Sequence, residues 1–177
     1  MSYVVGIDPD LHNTGVAIIL DGVVESVNVC RVPKSLKGEA AVQAMLKQLS
    51  VDLPLWLEGV SFHGVVEGQQ IYYGKSKVSP DSILLLSQVA GGASAILHAI
   101  CATSVTMPRP RKWKGEVPKP IHQARVLSRL GWLYKKTQGY SYPTNPPSRL
   151  NKLRPDEWKH VVDALGLAMW GAERQPI

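Results

Sequence analysis

Three β-branched runs crowd the first thirty residues, and they constrain the fold more than any other feature. Tyr3 to Ile7, Thr14 to Leu20 and Val23 to Arg31 each read as strands. The second and third are joined by Asp21-Gly22, a tight hairpin signal between two apolar segments. The first is broken by Asp8-Pro9-Asp10, so an acid sits where a buried strand ends. A chain that opens with a strand and a hairpin is committed to a sheet, and the rest of the sequence supplies helices to cover it.

Residues 38–50 carry helical periodicity, and Pro54 to Gly59 (PLWLEG) reads as a short buried strand holding one acid, Glu58. A Gly- and Tyr-rich loop to about Ser79 follows. Ser79-Pro80-Asp81 opens a helix to about Ala102, with Pro in the first turn and Asp at the positive end of the dipole. Thr103 to Met107 is a further strand, residues 118–130 a helix, and 139–155 a Pro/Tyr/Asn/Ser loop. Pro155-Asp156-Glu157 opens a final helix to about Ala172. The order βββαβαβαα predicts one α/β domain over residues 1–177, with a mixed sheet. At 177 residues the chain can bury one sizeable core.

Three carboxylates stand where stability alone would not put them. Asp8 ends the first strand, Glu58 follows Leu55-Trp56-Leu57, and Asp163 lies inside HVVDALGLAMW, apolar on nearly every side. Buried carboxylates are expensive unless paired or bound to metal. If the first and fourth strands are neighbours and the last helix crosses them, the three acids converge. Hard oxygen donors without a cysteine cluster select Mg²⁺ or Mn²⁺ over Zn²⁺. His160 precedes Asp163 by three positions and shares its helical face, which makes it a ligand or proton-transfer candidate.

Charge adds a second argument. The net charge is +6, but residues 109–159 alone carry +10, beside a neutral-to-acidic remainder. Such a basic stretch suits a polyanion, because neutralised phosphates release their counterions. The two cysteines, Cys30 and Cys101, sit in apolar surroundings and read as buried, reduced thiols of a cytoplasmic protein. No signal peptide is expected, and no uninterrupted apolar run approaches the roughly 18 residues that span a bilayer.

Taken in order, GIDPDLHNTG (6–15), LEGV (57–60), LSQVAGGASAIL (86–97), RPRKWKGEVPK (109–119) and HVVDALGLA (160–168) resemble the RuvC Holliday-junction resolvases of the ribonuclease H-like superfamily. The resemblance implies a mixed five-stranded sheet flanked by helices, with Asp8 on the central strand. It implies that Asp8, Glu58, His160 and Asp163 are catalytic and bind two Mg²⁺ ions (Mn²⁺ substituting) about 4 Å apart. The implied reaction is hydrolysis of a phosphodiester in a four-way DNA junction by a homodimer, leaving 5′-phosphate and 3′-hydroxyl ends. It further implies that Phe62 is an aromatic wedge into the junction, with Tyr72 and Tyr73 as rivals. Arg109, Arg111, Lys112, Lys114 and Lys119 are the implied phosphate contacts. Residues 131–156 are longer than the family pattern and mix Tyr134, Tyr140 and Tyr142 with Lys135 and Lys136. The competing readings are a related nuclease acting on flaps, other branched DNA or RNA–DNA hybrids, a sugar-kinase or actin-like ATPase, and a junction-binding protein without activity. The ATPase reading fails on length, because it needs a second lobe.

Overall fold

Alternation along the first strand decides which side of the sheet each layer occupies. In the computed structural model, described for residues 2–69, 79–137, 139–150 and 153–174, β1 spans Tyr3–Asp8. Val5 and Ile7 face one layer, while Val4, Gly6 and Asp8 face the other, as the period of two requires. Next come β2 (Asn13–Leu20) and β3 (Val23–Arg31), antiparallel in turn through the Asp21-Gly22 turn. Both turn residues have positive φ, the geometry that lets a two-residue hairpin follow the strand twist.

Beyond them, β4 (Phe62–Val66) pairs parallel with β1, and β5 (Ser104–Thr106) pairs parallel with β4. The five-stranded sheet has the order β3-β2-β1-β4-β5, with β1 central. One face is covered by α1 (Gly38–Trp56) and α2 (Pro80–Ala99), whose buried stripes close over Val5, Ile7, Val16 and Ile18. The other face carries α5 (Pro155–Ala172), backed by a one-turn helix α3 (Pro110–Trp113) and by α4 (Lys119–Arg129). A hairpin of β6 (Tyr134–Lys136) and β7 (Ser141–Pro143) packs against α4 and α5.

This structure corrects three expectations. Pro54 to Gly59 is not a strand: α1 continues to Trp56, with Pro54 in its last turn. The buried series Val42, Met45, Leu49, Leu53 and Leu57 keeps helical spacing through the proline, and Leu57 N–H still donates to Leu53 O at 3.1 Å. The fourth strand is instead the segment expected to be loop, 62–66. Residues 139–155 are not all loop either, since they hold β7 and a 3₁₀ turn at Ser148–Leu150. By length and mean hydropathy (1.4) α2 meets the criterion for a bilayer span. Here it is a helix of the fold, with Ile83, Val89, Ala90, Ala93 and Leu97 buried.

Two glycines let α5 lie directly on the strands. A Cβ at Gly6 would fall 2.1 Å from Ala164 O, and one at Gly15 would fall 2.4 Å from His160 O. Backbone contact of that kind excludes any side chain. The far end of α5 is fixed to the edge strand: Glu157 accepts from Arg31 Nε and Nη2 at 2.6 and 3.0 Å and from its own N-cap Arg154 N–H at 2.9 Å. Those hydrogen bonds hold the Glu157 carboxyl at about 2, well below its ordinary value.

Candidate active site

Asp8 lies at the carboxyl end of the central strand, on the face that α5 crosses. Its neighbour across β2 is Gly15, the residue that admits α5. On the other side β1 runs beside β4 with Ile7 opposite Val66, and Glu67 N–H donates to Ile7 O at 3.0 Å. Val65 faces α5, so Glu67, two residues on, turns its carboxylate to the same side as Asp8. From above, α5 brings down His160 and Asp163. His160 Nδ1 lies 3.3 Å from Asp8 Oδ2 and carries the proton there, because a carboxylate only accepts.

The acid contributed by β4 is therefore Glu67 and not Glu58. Glu58 sits exposed in the turn after α1, four residues before β4 begins. Since Phe62 pairs with Tyr3, Glu58 lies beyond the opposite end of the sheet from Asp8, on the order of 15 Å away along the strand. The signal for Glu67 was present in the sequence: Val65-Val66-Glu67-Gly68 ends an apolar run on an acid, just as Val5-Gly6-Ile7-Asp8 does. Gly64 disguised the strand, and its reason is steric. A Cβ there would meet Leu97 Cδ1 at 2.7 Å.

The three carboxylates are buried, and they feel one another. Burial and the neighbouring charges of Asp8 and Asp163 push Glu67 up to about 7, against the pull of Lys114. Asp163, 1% exposed, is also raised, by burial and then by Asp8, although Lys119 opposes the shift. Asp8 goes the other way. Burial would raise it, but the His160 hydrogen bond and the charges of Lys119 and Lys114 leave it lowered.

Two ammonium groups supply the positive charge. Lys114 Nζ stands 3.0 Å from Glu67 Oε1, and Lys119 Nζ pairs with Asp163 Oδ2. The remaining contacts hold the acids in place. Trp113 Nε1 donates to Glu67 Oε1 at 3.1 Å from the short helix α3, and Gln123 Nε2 donates to Asp163 Oδ1 at 3.0 Å from α4. Gly68 N–H donates to Pro108 O at 2.9 Å, tying the end of β4 to the start of the basic segment.

A divalent ion has to fit this arrangement by its donors. The set is carboxylate oxygen and imidazole nitrogen without sulfur, which matches hard cations. Among the described residues no three such side chains already close on one point at ligand spacing. The lysines occupy that place, as cations among acids. The site thus collects positive charge, and its oxygen and nitrogen donors are of the type that suits a hard divalent cation.

The other expected residues are distributed unevenly. Phe62 is 1% exposed, packed into the core between the sheet and α1/α2, so it is no exposed wedge. Tyr72 and Tyr73 lie outside the described residues. Arg109, Arg111 and Lys112 are exposed around α3, Arg111 paired with Glu116 at 2.6 Å. Lys114 and Lys119, expected beside them as phosphate contacts, are drawn into the carboxylate site. Sequence reasoning missed Glu67, Trp113 and Gln123.

No family model matches the sequence, and no curated protein does. Among solved structures, the chain is similar to a Thermus thermophilus RuvC in complex with a Holliday junction substrate, with a TM-score of 0.62, 14% identity and coverage of 97% of this chain and 93% of that one. It is also similar to a second Thermus thermophilus RuvC structure, at a TM-score of 0.61, 17% identity and coverage of 96% and 93%. The chain has a RuvC-type, ribonuclease H-like α/β fold, as the sequence led us to expect.

Proposed function

We propose that this chain is a structure-selective endodeoxyribonuclease that resolves four-way DNA junctions by metal-assisted phosphodiester hydrolysis. The observation that carries the reading is the convergence of Asp8, Glu67, Asp163 and His160 at the carboxyl ends of β1 and β4. It is supported by the likeness to a RuvC structure whose partner is a Holliday junction. In this reading Asp8, Glu67 and Asp163, with His160, hold two Mg²⁺ or Mn²⁺ ions. When bound, these supply an activated water and stabilise the leaving 3′ oxygen.

The protein's own groups do the rest. Burial on the α5 face keeps Asp8, Glu67 and Asp163 largely out of water, which strengthens their attraction for a bound cation. Lys114 and Lys119, released from Glu67 and Asp163, contact the phosphates on either side of the scissile bond. Arg109, Arg111 and Lys112 extend that strip along α3 and fix the register of the strand without reading bases. The stacking role expected of Phe62 falls to Tyr72 and Tyr73. Two symmetric cuts need two copies, and in this reading α2, which exposes Leu84, is the surface through which a homodimer forms. Of the two cysteines expected to be buried, Cys30 is buried and Cys101 is exposed; a cytoplasmic setting is part of the same proposal.

The test uses wild type and Asp163→Asn with a labelled four-way junction, a flap, a linear duplex and an RNA–DNA hybrid, each in Mg²⁺ and in EDTA. Paired symmetric nicks in the junction, dependent on Mg²⁺ and lost in a variant that still binds, establish the reading. Cutting of the flap or hybrid alone keeps the nuclease and replaces the substrate. Tight junction binding without cutting anywhere rejects catalysis.

A further inference from the structure

Gln123 is a fully buried amide in the first half of α4, and each of its polar atoms has a partner on a different element. Nε2 donates to Lys159 O at 2.8 Å and to Asp163 Oδ1 at 3.0 Å, both on α5. Oε1 accepts from the Ser141 N–H at 2.8 Å, on β7 of the hairpin. These partners leave no freedom in the amide's orientation, because a backbone N–H can meet only the oxygen and a backbone C=O only the nitrogen. The hairpin is itself seated on α4, with Ser141 Oγ donating to Pro120 O at 2.9 Å. Ser141 is directly opposite Lys136 in the β6–β7 register, and Lys135 and Lys136 are exposed on the same hairpin.

The geometry points to Gln123 as a positioning residue for Asp163, with the β6–β7 hairpin fixing the amide that aims the carboxylate. This inference rests on the metal-dependent nuclease reading and extends it to residues 134–143, the part of the chain that departs from the family pattern. Glutamine is the residue type the site requires: glutamate would keep the acceptor for Ser141 and lose the donor, and methionine would keep the shape and lose both. One oxygen of Asp163 is held by Gln123 and the other faces Lys119, so only the Lys119 side is open to exchange with a metal ion. Partners of a ligating carboxylate typically change metal affinity or activity by about 10–100-fold when removed.

The test compares wild type, Gln123→Met, Gln123→Glu and Leu127→Ala. Leu127 is buried one turn further along α4 and its apolar side chain takes no part in these hydrogen bonds, so its variant measures what loss of packing alone does. Mn²⁺ binding is measured by isothermal titration on each folded protein, alongside its melting temperature without metal. Single-turnover junction cutting is then measured at rising Mg²⁺. We expect Gln123→Met and Gln123→Glu to bind Mn²⁺ about 10-fold more weakly or worse and to need more Mg²⁺ for half-maximal cutting. Leu127→Ala should melt earlier yet bind Mn²⁺ as wild type does. Wild-type Mn²⁺ affinity in both Gln123 variants would overturn the inference alone and reduce Gln123 to a stability residue. A wild type that neither binds Mn²⁺ nor cuts would overturn the nuclease reading, and this inference with it.

Discussion

A side chain at Gly15 would strike the backbone carbonyl of His160, 2.4 Å from where its Cβ would stand. Gly15 is also the register partner of Asp8. The glycine that follows the first acid in sequence is thus what lets the last helix descend far enough for His160 to reach that acid. Gly15→Ala must push α5 off the strands. We expect a loss of about 2–3 kcal/mol in urea unfolding, and cutting reduced beyond what the folded fraction explains. An unchanged midpoint with full activity would show that α5 has room to retreat.

Glu67 and Glu58 give opposite expectations. Removing the charge at Glu67 takes one of three converging acids from the site, and Glu67→Gln should slow single-turnover cutting on the order of 1,000-fold. Glu58 is exposed in a turn, and Glu58→Gln should stay within about twofold of wild type. A severe defect at Glu58 would reinstate it as the fourth-strand acid and reject the assignment to Glu67.

Glu67 also sets a pH dependence. Its folded value is raised from an ordinary 4.5 to about 7. An acid raised on folding leaves stability intact below 4.5 and withdraws it as pH rises toward 7, where the buried carboxylate must ionise. Melting temperature without metal should therefore fall across that window. Added Mg²⁺ should restore it, with a gain that grows from pH 5.5 to 7.5. A metal-induced gain that is flat with pH would mean that Glu67 takes no part in binding the ion.

Phe62 separates a core role from a contact with DNA. It is buried between β4 and the α1/α2 layer, so Phe62→Ala should lose about 3–5 kcal/mol of stability. Junction affinity, measured by fluorescence anisotropy at a temperature where the variant is folded, should be unchanged. Weakened binding in a variant of normal stability would restore the wedge.

Glu67 and Glu58 show which parts of the site local sequence patterns encode and which they do not. Asp8, His160 and Asp163 were legible because each sits in a strongly patterned element, a β-branched strand end or a helix apolar all round. The β1–β2–β3 register followed from Asp21-Gly22. The fourth strand was not legible, for two local reasons. Leu55-Trp56-Leu57-Glu58 imitates a buried strand ending in an acid, and Pro54 imitates a helix terminator, yet the four-residue spacing of Leu49, Leu53 and Leu57 carries α1 past it. The true strand contains Gly64, a poor strand former by itself, because Leu97 of α2 takes the space its side chain would use. That demand comes from another element, and no local pattern records it. Gln123 was invisible for the same reason, since its three partners lie 18 to 40 residues away.

The distance in sequence between Asp8 and His160, 152 residues, bears on the order in which the site can assemble. A nascent chain emerging from the ribosome has the Asp8 strand early and Glu67 soon after, but α5 comes last. Until that helix docks over Gly6 and Gly15, the acids are an incomplete pair on an open sheet. Contacts this remote form late, after the local hairpin and helices are in place. On the proposed nuclease reading, a chain whose α5 has not docked lacks His160 and Asp163 at the site and cannot cut, so competence arrives with the docking of that helix.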